Sequence, residues 1–594
     1  MCRIAGLVSE RLPARQMNAM VKAMCDTMQH GGPDDGGVAD NEQAQLSFGH
    51  RRLSIIDLSA KGHQPMADVQ QKAMVTFNGE IYNYRELKHT LQSLGAVFNT
   101  ATDTEVILQA YLYWGTASFA KLRGMFAFAL HDNAKGLTYL VRDTNGIKPL
   151  YYSAENGQLT FASEIRAFKS ANITATEQRW PVWLLAYGHI PEPFTTLKNV
   201  LSLPKGHFLQ WDKNGSHSLN NYNTPPTQSA YITDIKTAHE GLYSHFENAI
   251  KRQLIADAPI GVFLSGGIDS SVITLLADAQ NEHQLKTVSI FFDEKEYDER
   301  TYQQAVLNKI NAANITHLVK KQDLDEHLPQ ILAAMDMPTT DGINSWFISK
   351  YAHEDGLKAV LSGVGADELF GGYPSFSRIK YLKYLRKLPA SVLNKVGHMA
   401  KDSYKRLTYL VNEHPAADYL FLRGLYSPSE ISQIAGISER ELSEILFSSD
   451  TVTPTGNYDE LHASWFETNM YMQNQLLRDT DVMGMCHSLE VRVPFLDEDF
   501  KQFAQQIHPG LRFDTARPKK ILIDSFKPIL PQEVWNRPKM GFTFPLQQWM
   551  KNNSLIANES HYKGPAAKTI IKQFKNGQTH WSRAFALYQV QQHV

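Results

Sequence analysis

A glycine-rich segment near the middle of the chain has the residue types that bind phosphate groups. It reads Ile260-Gly-Val-Phe-Leu-Ser-Gly-Gly-Ile-Asp-Ser-Ser271, with a strand-like apolar run before the glycines and a helical pattern after them. Glycines let backbone N–H groups approach an anion, and a helix N-terminus adds partial positive charge. A short Ser-Gly-Gly is typical of a tight turn. Asp269, a candidate Mg²⁺ ligand, and the hydroxyls of Ser270 and Ser271 favour a phosphate loop, although not a Walker A loop, whose lysine is absent.

A second glycine-rich segment follows another apolar run. It reads Val360-Leu-Ser-Gly-Val-Gly-Ala-Asp-Glu-Leu-Phe-Gly-Gly-Tyr373. Ligands of open parallel sheets bind beyond the carboxyl ends of the strands, so both loops are expected to face one nucleotide. Asp367 is then a second candidate Mg²⁺ ligand; the alternative is that Asp367 and Glu368 begin a solvated helix. Lys519 and Lys520 are a weaker signal, because a short charge run is usually a solvated face.

The cysteine at position 2 is a candidate nucleophile. Removal of Met1 is favoured by a small second residue and would make Cys2 N-terminal. An α-amino group has a pKa of about 7.7–8.0 and can act as general base for the thiol of the same residue. The alternative for Cys2 alone is a buried structural cysteine.

Length and composition limit the classes of protein that can carry these groups. The chain has 594 residues and a formal net charge of −2, so we expect two domains and no general attraction to nucleic acid or anionic membranes. The net charge leaves open whether the surface carries a local basic patch. Three distant cysteines do not form a disulfide framework and favour a reducing compartment. With neither an apolar span nor a secretion signal, we expect a soluble cytoplasmic protein with no membrane partner.

The pattern of apolar residues changes along the chain. Short β-type runs at 4–8, 73–77, 125–131, 137–141 and 158–162 alternate with helical patterns at 17–29, 85–94 and 105–114. A polar stretch, 212–233, reads as a linker. Beyond it, 260–264, 286–292 and 358–361 predict buried parallel strands, and the chain from about Tyr373 is largely helical in pattern. We therefore predict domains over 1–211 and 236–594, with a linker over 212–235.

Two resemblances follow from these residues. The first glycine loop resembles the pyrophosphate-binding loop of ATP pyrophosphatases, which cleave ATP to AMP and pyrophosphate while adenylating a substrate. The N-terminal part resembles the glutaminase domain of the glutamine-dependent asparagine synthetase family. That second resemblance is carried by His30-Gly-Gly-Pro-Asp-Asp-Gly-Gly37, Gly49-His-Arg-Arg-Leu-Ser-Ile-Ile-Asp57, Phe77-Asn-Gly-Glu-Ile-Tyr-Asn-Tyr84, Thr102-Asp-Thr-Glu-Val-Ile-Leu108 and segments 123–129 and 142–152. Segments 203–209, 476–478 and 487–497 extend it over nearly the whole chain.

The resemblance implies roles around Cys2. Arg52 matches the residue that binds the glutamine carboxylate, which suits a guanidinium fork. Asp103 matches a ligand of the ammonium group, and Glu80 matches a contact to the same end. The side-chain amide of Asn78 and the N–H of Gly79 match the oxyanion hole. Singly, each has a plain alternative: Asp103 favours a helix N-terminus, Asn-Gly is a common turn pair, and Arg52 would be an exposed arginine.

The resemblance also implies roles in the second domain. Asp269 and Asp367 match Mg²⁺ ligands, and Lys519 matches a basic residue that stabilises charge on departing pyrophosphate. The implied ATP-binding residues are Leu264, Ser265, Gly266, Gly267, Asp269, Ser270, Ile290, Ser362 and Gly363.

The fold implied is an α+β N-terminal-nucleophile sandwich with αββα layers. An α/β ATP-pyrophosphatase-like domain follows, with a parallel sheet and a helical C-terminal part. The implied activity is glutamine-dependent amidotransfer, in which ATP and Mg²⁺ serve to adenylate aspartate and ammonia reaches the adenylate through an internal tunnel. The expected partners are small molecules, with a homodimer left open.

Two positions depart from the family. Gly31 stands where the family usually has an arginine. Val364 stands in Ser-Gly-Val-Gly where well-studied members have an acidic residue that helps form the aspartyl-adenylate. Because valine cannot carry charge, either another acid takes that role or the acceptor differs, for example a sugar uronate, a peptide side chain or a specialised metabolite.

Two further alternatives remain open. Intramolecular amide closure, as in β-lactam-forming relatives, is disfavoured because those typically lose the cysteine that Cys2 provides. A non-catalytic protein with this fold would have lost several of the site residues. Gly31 and Val364 are the two positions that point in this direction.

Overall fold

The structure is a computed structural model that describes residues 2–223, 230–280, 284–399, 402–448, 456–538 and 540–593. Among them, no helix has the length and apolar character needed to cross a bilayer.

Two antiparallel sheets form the N-terminal part. Their strands are β1 (Arg3–Ser9), β2 (Asp35–Asn41), β3 (Leu46–Arg52), β4 (Met66–Ala67), β5 (Ala73–Ile81), β6 (Gly124–Asp132), β7 (Leu137–Arg142), β8 (Tyr151–Glu155), β9 (Gln158–Ala162), β10 (Leu201–Ser202), β11 (His207–Asp212) and β12 (His217–Asn221). The first sheet has the order β10-β8-β9-β1-β3-β2 and the second β12-β11-β7-β6-β5-β4.

The two sheets are the inner two of four layers, and helices form the outer two. The inner faces share one core, in which Ile4 and Phe48 of the first sheet meet Ala129 and Leu140 of the second. Helix α1 (Ala14–Thr27) covers the outer face of the first sheet, whereas α4 (Trp180–Tyr187) packs against helices of the C-terminal part. Helices α2 (Tyr84–Ser93) and α3 (Asp103–Trp114) cover the outer face of the second sheet. The predicted αββα sandwich is confirmed.

The predicted linker differs from the structure at its start. β12 lies inside 212–233 and pairs with β11, so the sheet continues to Asn221. A turn joins the two strands, in which Asp212 Oδ1 accepts hydrogen bonds from Asn214 N at 2.8 Å and Ser216 N at 3.0 Å. The side chains of β12 are mostly exposed, which is why its sequence lacks apolar periodicity. Part of the predicted linker, 224–229, lies outside the described residues.

A five-stranded parallel sheet lies at the centre of the C-terminal part. Its strands are β13 (Ile260–Phe263), β14 (Lys286–Phe291), β15 (Ala313–Leu318), β16 (Ala359–Leu361) and β17 (Glu490–Arg492), in the order β15-β14-β13-β16-β17. Each neighbouring pair is parallel, which brings the carboxyl ends of all these strands to one edge. The predicted parallel sheet is confirmed.

Helices flank this sheet and fill the rest of the chain. They are α5 (Ile235–Gln253), α6 (Ile268–Gln280), α7 (Arg300–Leu307), α8 (Lys321–Ala334), α9 (Ile343–Glu354), α10 (Ala366–Phe370), α11 (Ser375–Leu385), α12 (Ala390–Met399), α13 (Asp402–Lys405), α14 (Pro415–Arg423), α15 (Pro428–Ala435), α16 (Glu439–Phe447), α17 (Glu460–Phe466), α18 (Leu477–Met485), α19 (Glu498–Gln506), α20 (Pro509–Arg512), α21 (Lys520–Phe526), α22 (Gln532–Trp535), α23 (Leu546–Met550), α24 (Pro565–Lys575) and α25 (Trp581–His593). A π-helical segment, Glu467–Leu476, joins α17 to α18.

Candidate active site

Strand pairing places Cys2 against the end of β3. β1 begins directly after Cys2 and pairs with β3 so that Arg3 lies opposite Arg51. The next residues of the second strand, Arg52 and Leu53, therefore lie beside the cysteine, and the Cys2 thiol contacts Leu53 O at 4.0 Å. Burial raises the pKa of the Cys2 thiol to about 11, while the nearby N-terminal charge and Arg52 act to lower it.

Asn78, in β5, lies directly beside Cys2. The main-chain N–H of Cys2 donates to Asn78 Oδ1 at 3.1 Å. Asn78 is fully buried, and its Nδ2 has no hydrogen-bond partner among the described residues. Leaving a buried donor unpaired costs about 1–3 kcal/mol, so this amide is available to an oxygen atom of a ligand. Gly79 follows with φ +147°, where an added Cβ would lie 2.0 Å from Met125 O.

Arg52 and Asp103 provide opposite charges near the cysteine. Arg52 donates to the carbonyl oxygens of Ser59 at 2.9 Å and Asp57 at 2.5 Å, so its hydrogen bonds within the described residues leave the guanidinium charge without a bonded carboxylate. Asp103 begins α3 and accepts a hydrogen bond from Ile81 N at 3.0 Å. Burial raises the pKa of the Asp103 carboxyl to about 6.

Glu80 connects this site to the parallel sheet. Its Oε2 lies 3.7 Å from Nη2 of Arg492, in β17, and Arg492 Nε donates to Glu490 Oε1 at 2.5 Å. All three side chains are buried, and burial followed by the Glu490 charge raises the pKa of Glu80 well above its ordinary value. Sequence reasoning matched the segment containing Glu490 and Arg492 to the family but gave them no role. The available signal was a pair of opposite charges on either side of Val491, in a segment that is otherwise apolar from Leu489 to Leu496.

The space beside Gly31 is filled by Arg3. An added Cβ on Gly31 would lie 2.7 Å from Arg3 Cγ. The buried Arg3 side chain pairs with Glu164 at 2.6 Å and, through Nη1, with Asp481 of α18 at 3.0 Å. A guanidinium therefore lies next to position 31 although that residue is glycine.

The second set of predicted residues surrounds a cavity of about 830 Å³ at the carboxyl edge of the parallel sheet. The cavity is lined by Leu264, Ser265, Gly267, Asp269, Ser270, Ile290, Ser362, Gly363, Val364, Asp367 and Lys519. Gly266 lies behind this wall with φ +81°, where an added Cβ would approach Gln303 N to 2.9 Å. A glycine is required at position 266 because the loop packs closely against α7.

Lys519 joins the two aspartates that sequence reasoning proposed as metal ligands. Its Nζ lies 2.6 Å from Asp269 Oδ2 and 2.6 Å from Asp367 Oδ1. These two charges raise the pKa of the buried lysine. The carboxylates are close enough for one divalent cation, and Mg²⁺ commonly uses one or two carboxylates together with substrate phosphates. The described residues contain no cluster of three or more His, Cys, Asp or Glu suited to a metal. The residues present fit Mg²⁺ in that shared mode.

A cluster of buried apolar residues connects the two sites. It contains Leu53 and Met125 from the N-terminal part and Leu477 from α18, and it packs against Val364 and Leu476, which line the cavity. One end of the cluster therefore lies at the carbonyl that Cys2 contacts, and the other lies at the cavity wall.

Comparison with known proteins agrees with this architecture. Residues 1–223 match the family described as "Glutamine amidotransferase domain", and residues 241–565 match "Asparagine synthase". Fold and matches together define a glutamine-dependent carbon–nitrogen ligase that uses ATP. A Bacillus subtilis protein named asparagine synthetase (glutamine-hydrolyzing) 1 is 31% identical over 571 residues, covering 93% of this chain and 88% of the relative. The chain belongs to the glutamine-hydrolysing asparagine synthetase family.

Other similar proteins carry different names. Amidase chry2 of Gibberella zeae is 27% identical, covering 90% of this chain and 86% of the relative. The solved structure of glutamine phosphoribosylpyrophosphate amidotransferase from Bacillus subtilis, complexed with ADP and GMP, is 13% identical with a TM-score of 0.29. That comparison covers 53% of this chain and 80% of the amidotransferase.

Proposed function

We propose that this chain converts aspartate to asparagine, with glutamine as ammonia donor and ATP as activator. The observation that carries the proposal is the apolar cluster between Leu53, beside Cys2, and Val364, on the wall of the cavity. Neutral ammonia can pass among apolar side chains, whereas ammonium is disfavoured there because a buried unpaired charge is costly.

At the first site, Cys2 attacks the side-chain amide of glutamine. Once Met1 is removed, the α-amine of Cys2 takes the thiol proton and delivers it to the leaving nitrogen. A C–S bond forms, the C–N bond breaks, and water hydrolyses the thioester to glutamate. Asn78 Nδ2 and the N–H of Gly79 stabilise the oxyanion, while Arg52 and Asp103, with Glu80, hold the carboxylate and ammonium of glutamine.

At the second site, a carboxylate oxygen of aspartate attacks the α-phosphorus of ATP and pyrophosphate leaves. Ammonia then attacks the acyl carbon, and AMP leaves with the oxygen. The loop residues Ser265 to Ser270 bind the phosphates, and Lys519 neutralises charge on the departing pyrophosphate. Mg²⁺, which Asp269 and Asp367 would hold, supplies further neutralisation of phosphate charge when bound.

A second candidate is amidation of another carboxylate, such as a sugar uronate or a specialised metabolite. Val364 favours it, because an apolar side chain lines the cavity at the position where well-studied members have an acid. The expected cytoplasmic location and a homodimer also remain proposals; the first is supported by three cysteines without a disulfide framework.

The test is product analysis with purified protein, glutamine, ATP, Mg²⁺ and aspartate. Asparagine, AMP and pyrophosphate in equal amounts are expected. Cys2→Ala should abolish synthesis from glutamine and retain synthesis from ammonium salts. Absence of asparagine from both nitrogen sources would overturn the aspartate assignment and direct the search to other carboxylates.

A further inference from the structure

The chain carries a strongly basic segment that the proposed reaction does not use. Residues 375–406 contain nine Lys or Arg and one Asp, a formal charge of +8, whereas the whole chain has a net charge of −2. This segment includes α11, α12 and α13, which follow the second glycine-rich loop. Positive charge is therefore concentrated locally, and a field of this kind attracts an anionic partner.

Helices α11 and α12 each have one face in the protein core. Ile379 and Leu382 of α11 are buried, and so is Leu393 of α12. Gly397 of α12 packs against the segment that follows α13, where an added Cβ would lie 2.5 Å from Thr408 Cγ2. Packing therefore fixes the orientation of both helices, and their remaining side chains point away from the core.

The outer face of these helices carries large aromatic and aliphatic side chains. Tyr381 and Tyr384 lie three residues apart on α11 and so share one side of that helix. Val392 and Val396, four residues apart, do the same on α12. With Leu388, in the turn between the helices, these side chains are 40–67% exposed. Sixteen such large side chains are exposed among the described residues, five of them here, and such a concentration marks an interaction surface.

Lysines are interleaved with these side chains. Four exposed lysines belong to the outer face: Lys380, Lys383, Lys387 and Lys395. Their ammonium groups form no ion pair or hydrogen bond with the part of the chain that the structure describes. Lys380 Nζ lies 5.8 Å from the ring centroid of Tyr381, so charge and aromatic surface are adjacent. The outer face of α11 and α12 is thus both basic and apolar.

Neighbouring acids are already paired with other cations. Asp418 pairs with Arg386 at 2.7 Å, on the inner side of the segment. Glu430 pairs with Lys405 at 3.4 Å and with Arg583 at 2.8 Å. These carboxylates therefore leave the charge of the outer lysines available to an anionic partner.

An anionic lipid surface is complementary to both properties of this face. Lysines are attracted to a negatively charged leaflet, and their apolar stems lie along hydrocarbon while the amines stay at the headgroups. Tyrosine prefers the interface between membrane and water, and side chains such as Leu388 and Val392 enter the boundary of the acyl chains. The phosphates of a nucleic acid would contact the lysines but would leave the aliphatic side chains in water.

We propose that α11 and α12 dock this protein onto the surface of a bilayer that contains anionic phospholipids. The lysines contact headgroup phosphates, and the exposed Tyr, Leu and Val side chains enter the interface. The inference goes beyond the proposed function and does not depend on it, and it revises the sequence-based expectation of no membrane partner. Because α11 begins two residues after Tyr373, which lines the cavity, docking holds the parallel-sheet part of the chain near the bilayer.

Co-flotation of the full-length protein with vesicles tests this docking without any substrate. Vesicles of equal parts phosphatidylcholine and phosphatidylglycerol should bind the protein, and vesicles of phosphatidylcholine alone should not. The combined variant Lys380→Gln, Lys383→Gln, Lys387→Gln and Lys395→Gln should weaken binding by about tenfold or more, because each charge near an anionic surface contributes about fivefold. The matched control changes four exposed lysines elsewhere, Lys22, Lys72, Lys213 and Lys568, to Gln and should bind normally.

A second variant tests the apolar half of the face. Leu388→Ser, Val392→Ser and Val396→Ser together keep every charge and should also weaken binding by about tenfold. The melting temperature should be unchanged in every variant, because the substituted side chains are exposed. The proposal fails if anionic and neutral vesicles bind equally or not at all, if the control loses as much binding as the lysine variant, or if the serine variant binds normally. Tighter binding to a DNA duplex than to anionic vesicles would equally overturn it.

Discussion

Glu80 Oε2 lies 3.7 Å from Arg492 Nη2, across the contact between the second antiparallel sheet and the parallel sheet. The main-chain oxygen of Arg492 accepts a hydrogen bond from Ser362 N at 2.8 Å, at the start of the second cavity loop. One residue, Arg492, thus connects Glu80, the proposed ammonium contact of glutamine, to Ser362 of the nucleotide loop.

Replacing the Glu80 carboxyl group by an amide should affect the glutamine reaction alone. We expect Glu80→Gln to raise KM for glutamine about tenfold, the scale of one hydrogen bond to a charged group, and to leave ammonia-dependent synthesis unchanged. Steady-state kinetics with the two nitrogen sources measures this. An unchanged KM for glutamine would contradict the assigned contact.

Asn78→Ala tests the oxyanion role of the unpaired amide. Loss of one such donor lowers kcat by roughly 100- to 1000-fold. Glutaminase kcat should fall by that amount while KM for glutamine changes little, because the donor acts mainly on the transition state. The matched control is Asn41→Ala, an amide on β2 far from Cys2. A change confined to KM would contradict the role.

The pH dependence of glutamine hydrolysis should show two groups. The α-amine of Cys2 must be neutral to accept the thiol proton, so kcat/KM falls as the pH drops below about 8. Asp103 must be ionised to bind the substrate ammonium, and its pKa is raised to about 6. The fall should therefore steepen below about pH 6. A profile with a single slope down to pH 5 would show that Asp103 is not required in its charged form.

Arg3 and Gly31 should behave as an exchangeable pair. Gly31→Arg alone introduces a Cβ at 2.7 Å from Arg3 Cγ, and Arg3→Gly alone leaves Glu164 and Asp481 without that partner. Breaking such a buried pair costs about 3–5 kcal/mol. Each single variant should lower the melting temperature, and the double variant should recover most of the loss. Additive losses in the double variant would contradict the exchange.

Lys519→Met should separate the two half-reactions. Pyrophosphate release should fall below detection, because Asp269 and Asp367 lose the cation between them and the leaving group loses its neutralising charge. Glutaminase activity should persist. EDTA should likewise stop pyrophosphate release by the unaltered protein without stopping glutamine hydrolysis. Retention of pyrophosphate release in the variant would remove Lys519 from the mechanism.

Local patterns were enough to predict much of this fold. The run 158–162 became β9 without change of bounds, and the apolar run before Ser265 became β13. Such elements are determined by residues close in sequence, as is the turn around Ser265 to Asp269. The fold class is confirmed, and the roles of the site residues stay predictions.

Contacts between segments that are distant along the chain could not be predicted from the sequence. Asp481, in α18, meets Arg3 and Lys148 only once the two parts of the chain are in contact. Arg492 reaches Glu80 only once the two sheets are in contact. β12 was predicted as part of a linker because its exposed side chains show no apolar alternation, whereas its place in the sheet depends on hydrogen bonds to β11. The periodicity of apolar residues indicates which side chains are buried, but it does not indicate which strands pair through main-chain hydrogen bonds.

The position of Asp481 limits how this chain can be recombined. Its carboxylate is shared by Arg3 and by Lys148, at 3.0 and 3.2 Å, so among the described residues this acid of α18 forms its ion pairs with cations from the other part of the chain. A hybrid that joins the first 223 residues to a relative's second half must inherit an acid at this position. Without it, the buried Lys148 would lose its ion pair with Asp481 and Arg3 would keep Glu164 but lose its second carboxylate, so swapping of the halves is constrained by a residue outside both proposed binding sites.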